Sequence, residues 1–236
     1  MELVIEPEVL LVNKPLEWTS FDVTNKLKRM LIHRLRRQYP DQETKKVKVK
    51  VGHAGTLDPL ATGLLIVCVG KETKNIDSYM GLPKEYTGSI YFGATRPSFD
   101  KETEIDAHYP MPELSLEQLN EASQKFLGEI EQIPPKYSAI KIDGVRAYAS
   151  ARKGAEPEMK ARKVLVERFD ITDINWPVAH FHIRCSKGTY IRSLAHDLGK
   201  ELGGGAYLES LCRTKIGDFD LSKALSIEEL ESKFNS

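Results

Sequence analysis

Two periodicities organise the apolar positions of this chain. "VLLVNKP" and "GLLIVCVG" are short, nearly unbroken aliphatic runs, the pattern of buried strands. "EYTGSIYFGA" alternates instead, with Tyr86, Ile90 and Phe92 on one side, and "KVLVERFDITDINW" with "VAHFHIRCS" predicts two paired strands. Helical spacing takes over in "SFDVTNKLKRMLIHRLRRQ", where Ser20 is the expected N-cap and Val23, Leu27, Met30 and Leu31 share a face. Ser115 and Gln118 make a capping box that opens "SLEQLNEASQKFLG", expected to close at Gly128. A further helix is expected from near Thr189 through "YIRSLAHDLGKEL", striped by Ile191, Leu194, Ala195, Leu198 and Leu202. Ser226 and Glu229 cap a last short helix, and Asp143-Gly144 marks a turn inside "YSAIKIDGVRAYA". Strands and helices alternate irregularly, with several hairpins. The expectation is an α+β fold, a mixed and largely antiparallel central sheet flanked by helices and loops, in a single domain over 1–236.

Composition changes this picture little. At 236 residues and 41% hydrophobic the chain can bury a full core. No apolar run approaches the ~18 residues of a membrane span, and the opening "MELVIEPEVLLVNK" is acidic where a secretory signal would be basic. A cytoplasmic location is expected. Cys68 and Cys185 lie in apolar or alternating runs and read as buried free thiols, and no CxxC pair suggests zinc.

Charge changes it more. The formal net charge is zero, but its distribution is uneven. Ten lysines and arginines stand between Lys26 and Lys50 against Asp41 and Glu43, whereas nine acids stand between Pro97 and Glu131 against Lys101 and Lys125. Such a separation can steer a polyanion onto one face. The basic stretch at about 34–50, with Arg34, Arg36, Arg37, Lys45 and Lys46, reads as an insertion whose side chains could meet nucleic-acid phosphates.

Three familiar chemistries are excluded by spacing. "HFHIRC" puts His180, His182 and Arg184 on one strand face, where a cation beside two imidazoles disfavours a metal. "VGKET" lacks the glycine that a phosphate loop needs five residues before Gly70, and no GxSxG elbow is present. What remains is Asp58, one carboxylate among small and apolar residues in "VGHAGTLDPLATGLLIVCVG". Asp-Pro is a common turn opening, and that alone would account for it. A glycosidase would need two carboxylates. One suffices for an isomerisation at a glycosidic bond, in which base and sugar are recombined without water.

"GHAGTLDPLATGLL" resembles the signature of the TruB-type tRNA pseudouridine synthases. The similarity continues, in that family's order, through "VNKP", "KEYTGSIYFGATRPSFD", "PPKYSAIKIDGVRAYASARKG" and "GTYIRSLAHDLG", over most of the chain. The resemblance implies the pseudouridine synthase fold and conversion of uridine 55 in the T-loop of tRNA to pseudouridine, with no metal and no organic cofactor. Asp58 would be the nucleophile, attacking C1′ of the sugar or C6 of the base. Arg192 matches the position that pairs with it, and a carboxylate in a dry site needs such a partner. Tyr86 matches the tyrosine that stacks on the target base and is a candidate to remove the C5 proton. Tyr190 matches a second pocket tyrosine. His53 matches a histidine associated with flipping the target base out of its loop. Lys14 is expected to support the pocket floor or to touch phosphate.

The expected partner is the T-arm of tRNA, with no membrane and no small-molecule cofactor, and the chain is expected to act as a monomer. Relatives commonly carry a C-terminal RNA-binding domain of the PUA type, and none is expected here. A non-catalytic tRNA-binding module, or an isomerase acting on ribosomal or guide-bound RNA, would use the same fold. The intact Asp58, Tyr86 and Arg192 set stands against the first of these.

Overall fold

The computed structural model describes residues 6–40, 49–138, 140–142, 144–152, 154 and 157–235. In chain order its elements are β1 (Glu8–Lys14), α1 (Ser20–Gln38), β2 (Val51–His53), β3 (Ala61–Val69), a 3₁₀ turn at Gly70–Asn75, α2 (Ile76–Gly81) and β4 (Lys84–Phe92). Then follow β5 (Ala94–Thr95), β6 (Ala107–His108), α3 (Leu116–Gln124), β7 (Gly128–Gln132), β8 (Lys141–Ile142), β9 (Val145–Arg146) and α4 (Ala147–Ala151). The long hairpin β10 (Arg162–Asn175) and β11 (Val178–Cys185) precedes α5 (Ile191–Glu201), β12 (Ala206–Ile216), β13 (Phe219–Asp220), a 3₁₀ turn at Leu221–Lys223 and α6 (Ile227–Asn235). The chain divides into two compact units, Met1–Lys84 with Cys212–Ser236, and Glu85–Leu211.

In the first unit β3 is the organising strand. β1 runs antiparallel to it along its whole length, from Glu8 opposite Val69 to Lys14 opposite Gly63, and β2 also pairs with it. The run "LLIVCV" is apolar without alternation because both faces of β3 are covered. Leu65, Val67 and Val69 pack with Val23, Leu27 and Leu31 of α1 and with Leu230 and Phe234 of α6. Leu64, Ile66 and Cys68 pack on the other side with Ala54 and Ile216. Each of these larger aliphatic side chains contributes about 1.5–3 kcal/mol by leaving water.

Helix α1 begins one residue before the expected place. Thr19 is its N-cap, accepting from Asp22 N at 3.0 Å, while Asp22 Oδ2 accepts from Thr19 N at 2.9 Å. Ser20 is buried instead, and its hydroxyl is used elsewhere.

In the second unit β4, β11, β10 and β7 follow one another as neighbours. The β10–β11 ladder is antiparallel, from Val166 opposite Cys185 to Asn175 opposite Val178, with register shifts at Val166/Arg168 and Ile171/Asp173. Helix α3 covers β10, and its polar residues serve the strand. Asn120 both accepts from Ile171 N and donates to Ile171 O, each at 2.9 Å, and Ser123 Oγ donates to Phe169 O at 2.8 Å. The capping box of Ser115 and Gln118 forms as expected. The helix stops at Gln124, however, and not at Gly128, which adopts φ 84° and opens β7. Helix α5 buries Ile191, Leu194, Ala195 and Leu198 of the expected stripe, while Leu202 falls just beyond it as the half-buried C-cap. The β1–β3, β2–β3, β10–β11, β10–β7, β12–β13, β5–β6 and β8–β9 ladders are antiparallel, and Val12 with Leu225 and Asp100 with Leu208 form isolated parallel bridges. The architecture is α+β.

Candidate active site

Asp58 lies between β2 and β3 on the segment Ala54–Leu60, in the first unit. Its backbone carbonyl accepts from Ala61 N at 3.0 Å, so Asp58-Pro59 does open a turn. The residue is half-buried, and its side chain comes from a segment held on several sides. Ser20 Oγ accepts from Leu57 N at 2.8 Å and donates to Leu57 O at 3.1 Å. Glu17, which adopts φ 66°, donates its N–H to Pro59 O at 2.8 Å. The residues immediately before and after Asp58 are therefore tied to the strip between β1 and α1.

Lys14 lies beneath this strip. Its side chain is 0% exposed, and Nζ donates to Trp18 O at 2.5 Å, Pro15 O at 2.9 Å and Pro59 O at 3.4 Å. Burial pushes its pKa from 10.5 down to about 8; the charge of Asp58 works against that shift and the charge of Arg213 adds to it. A phosphate contact needs an exposure that this ammonium does not have.

Arg213 on β12 is the second buried cation, at 1% exposure. Its Nε donates to Leu64 O at 2.8 Å and its Nη2 to Gly55 O at 3.1 Å. No sequence pattern singles this residue out, since an arginine in an alternating strand ordinarily reads as a solvent-facing position. Its partners lie 149 and 158 residues away, beyond the reach of any local pattern. His53, at the end of β2, is half-buried, and burial followed by the charge of Arg213 lowers its pKa. Among the described residues none hydrogen-bonds its Nδ1. It is a neutral ring at neutral pH.

The second unit holds Tyr86, Tyr190 and Arg192. Tyr86 on β4 is 8% exposed and shares its strand face with Ile90 and Phe92. Its neighbour Glu85, on the other face, accepts from Arg184 Nη1 at 3.2 Å and lies 3.1 Å from His182 Nε2. The basic face of β11 is thus neutralised by a carboxylate. Arg192, in the first turn of α5, is 3% exposed. Nη1 donates to Ser98 O at 3.1 Å and Nη2 to Tyr137 O at 2.9 Å, and Nε stands 3.5 Å from Asp100 Oδ2. Asp100, 5% exposed and the last residue of "KEYTGSIYFGATRPSFD", supplies a carboxylate to this arginine from its own unit. Tyr190 caps α5 through its backbone. Its N–H donates to Gln132 Oε1 at 2.7 Å, its carbonyl accepts from Gln132 Nε2 at 3.0 Å, and the guanidinium of Arg162 sits 4.6 Å above its ring.

The basic stretch divides. Arg36 is exposed on the last turn of α1. Arg37 Nη2 donates to Phe234 O at 2.5 Å and Arg34 stacks 5.7 Å over the Phe234 ring, so both also hold α6. Lys45 and Lys46 lie outside the described residues.

The likeness to known proteins is extensive. Residues 42–191 match the model of the TruB family pseudouridylate synthase N-terminal domain, and residues 192–235 match that of the tRNA pseudouridylate synthase B C-terminal domain. A tRNA pseudouridine synthase B from Flavobacterium johnsoniae is 50% identical over 230 residues, covering 98% of this chain and 97% of the relative. One from Phocaeicola vulgatus is 48% identical over 223 residues, covering 94% and 91%. Among solved structures, a chain of a Cbf5-Nop10-Gar1 complex superposes with TM-score 0.69 at 26% identity, over 95% of this chain and 53% of its own length. The Asp58 loop on its buried cations and the buried Arg192 stand within a sequence matched almost end to end by these relatives, and the chain belongs to the TruB family of pseudouridylate synthases.

Proposed function

We propose that this protein is an isomerase that converts uridine 55 in the T-loop of tRNA to pseudouridine, with Asp58 as nucleophile. The observation that carries the reading is the half-buried Asp58 carboxylate on a loop fastened at Leu57, Pro59, Gly55 and Leu64 by buried groups that include the cations Lys14 and Arg213. A fixed anion in a partly dry setting is what a carboxylate needs to attack a nucleoside and then leave. The carboxylate bonds to C1′ or C6, the glycosidic bond breaks, and the uracil turns. It then rejoins the sugar through C5, the bond to the carboxylate breaks, the C5 proton leaves and N1 gains one, so that atoms and electrons balance without an oxidant.

In this reading Lys14 and Arg213 supply a positive field at Asp58 from its own unit, and Arg192 adds the counter-charge matched in the family. Tyr86 stacks on the target base, and Tyr190 completes the pocket. Neutral His53 fits between unstacked bases better than beside phosphates, which suits an extruded nucleotide. Lys14 supports the Asp58 loop from below. Of the five basic residues expected to meet phosphates, Arg36 is exposed and keeps that role, with Lys45 and Lys46 further along the chain. The test is direct: incubate the purified protein with an unmodified tRNA transcript and map pseudouridine by position. Modification at uridine 55 alone supports the reading, and an unmodified transcript, or modification elsewhere only, overturns it.

A further inference from the structure

We propose that Arg213 is a positioning residue that sets the reach of Asp58 by tying together the two feet of its loop. The proposal rests on Asp58 being the nucleophile. The loop leaves β2 at Ala54 and runs into β3, and the two carbonyls that Arg213 binds, Gly55 O and Leu64 O, lie on opposite sides of it. Nε and Nη2 form one edge of the guanidinium plane, so a single rigid group fixes the spacing between them. Both feet carry a glycine in the left-handed region, Gly55 at φ 96° and Gly63 at φ 100°. Both glycines face the same arginine. A Cβ at Gly63 would fall 2.8 Å from Arg213 N, and one at Gly55 would lie 3.6 Å from Arg213 Nη1. The loop thus narrows onto Arg213 at its base, while Lys14, Glu17 and Ser20 hold its apex at Leu57 and Pro59.

At 1% exposure Arg213 is closed off from a polyanionic substrate, so beyond the field that its charge supplies it acts through the loop. An ammonium could satisfy one of the two carbonyls, but it has no edge with which to hold both.

The test compares Arg213→Met and Arg213→Lys with the unaltered protein, by single-turnover rates at saturating tRNA and by tRNA affinity. Misplacing a reacting group by about 1 Å costs on the order of 100-fold. Arg213→Met should lose that much in rate while binding tRNA within about twofold of the parent. Arg213→Lys, which keeps the charge and loses the fork, should remain about tenfold slow or worse. A rate within about twofold of the parent in Arg213→Met, or rate and affinity falling together, would overturn the proposal. Should Arg213→Met fail to fold, hydrogen exchange in Arg213→Lys decides. Amides of Gly55–Leu64 should exchange faster while those of Leu65–Val69 stay unchanged, and unaltered loop exchange would overturn the clamp. This readout needs no catalysis, so an inactive parent would count against the function without deciding the role of Arg213.

Discussion

Asp58 serves two purposes through different atoms. Its carbonyl closes a turn on Ala61 N, and its carboxylate projects from that turn. Substituting Asn keeps the turn and the side-chain volume but removes the proposed nucleophile, so Asp58→Asn should abolish pseudouridine formation. It should shift the melting temperature by only a few degrees, about what 1 kcal/mol produces in a chain of this size. The measurement is position-mapped modification alongside a thermal melt; a folded variant that still turns over would remove Asp58 from the mechanism. The small destabilisation has a specific origin. Asp58 raises the pKa of Lys14 against the effect of burial, and without it the buried ammonium is harder to keep charged.

Lys14 itself gives a pH dependence whose sign can be worked out. Its folded pKa is about 8 and its ordinary value 10.5, because burial penalises the charged form. Below about pH 8 both folded and unfolded chains carry the proton, and the penalty is constant. Between about 8 and 10.5 the unfolded chain binds more protons than the folded one, so this group makes stability rise with pH. The full effect is on the order of 3 kcal/mol. Denaturant titrations of the parent and of Lys14→Met across this window should therefore show the parent gaining on the variant as pH rises. A parent that loses ground would mean that the ammonium's three hydrogen bonds outweigh its desolvation.

At the level of elements, patterns within a few residues carry much of the architecture, and partners distant in sequence decide the rest. The run "GLLIVCVG", the β10–β11 hairpin, the stripe of α5 and the capping boxes at Ser115 and Ser226 are all legible locally. The start of α1 differs by one residue from the local reading because Thr19 and Ser20 are both good caps, and Leu57, 37 positions away, takes the Ser20 hydroxyl. The end of α3 falls four residues earlier than expected, since the left-handed Gly128 serves a strand and not a helix terminus. The candidate site divides in the same way. Asp58, Lys14 and Arg192 sit in motifs that give them an expected role. Asp100 ends such a motif without a role, and Arg213 lies outside all of them, so both owe their importance to partners only the folded chain supplies. Gly63 tests how tightly β3 and β12 are fitted. A Cβ there would lie 2.9 Å from Cys212 Sγ, closer still to the Arg213 backbone, and on a residue at φ 100°. Gly63→Ala should cost at least about 3 kcal/mol. Gly81→Ala, with open space and an ordinary φ, should change stability by less than about 1 kcal/mol. Equal melting curves for the two variants would show that β12 can move away from β3 freely.

Across the whole molecule, neutrality conceals the arrangement of charge. The 34 basic and 34 acidic residues cancel in sum, yet ten of the basic ones gather between Lys26 and Lys50. Not all of them are available to a partner. Arg34 and Arg37 engage Phe234, and Lys26 pairs with Glu231, so part of this charge fastens α6 to α1. Arg36 is exposed, and Arg36, Lys45 and Lys46 are the residues proposed to meet phosphates once Arg34 and Arg37 are set aside. Replacing these three with Gln should weaken tRNA binding, and the slope of log affinity against log salt should flatten by about 0.7–0.9 for each phosphate no longer neutralised. Single-turnover rates at saturating tRNA should stay near those of the parent, because the substitutions leave every group assigned to the chemistry in place. Adding Arg34→Gln and Arg37→Gln should then lower the melting temperature, which the triple variant should leave unchanged. Affinities measured at several salt concentrations, with melts of both variants, separate the two roles. An unchanged salt slope in the triple variant would make this stretch ordinary solvated surface, and a fallen rate at saturation would tie it to the assembly of the site.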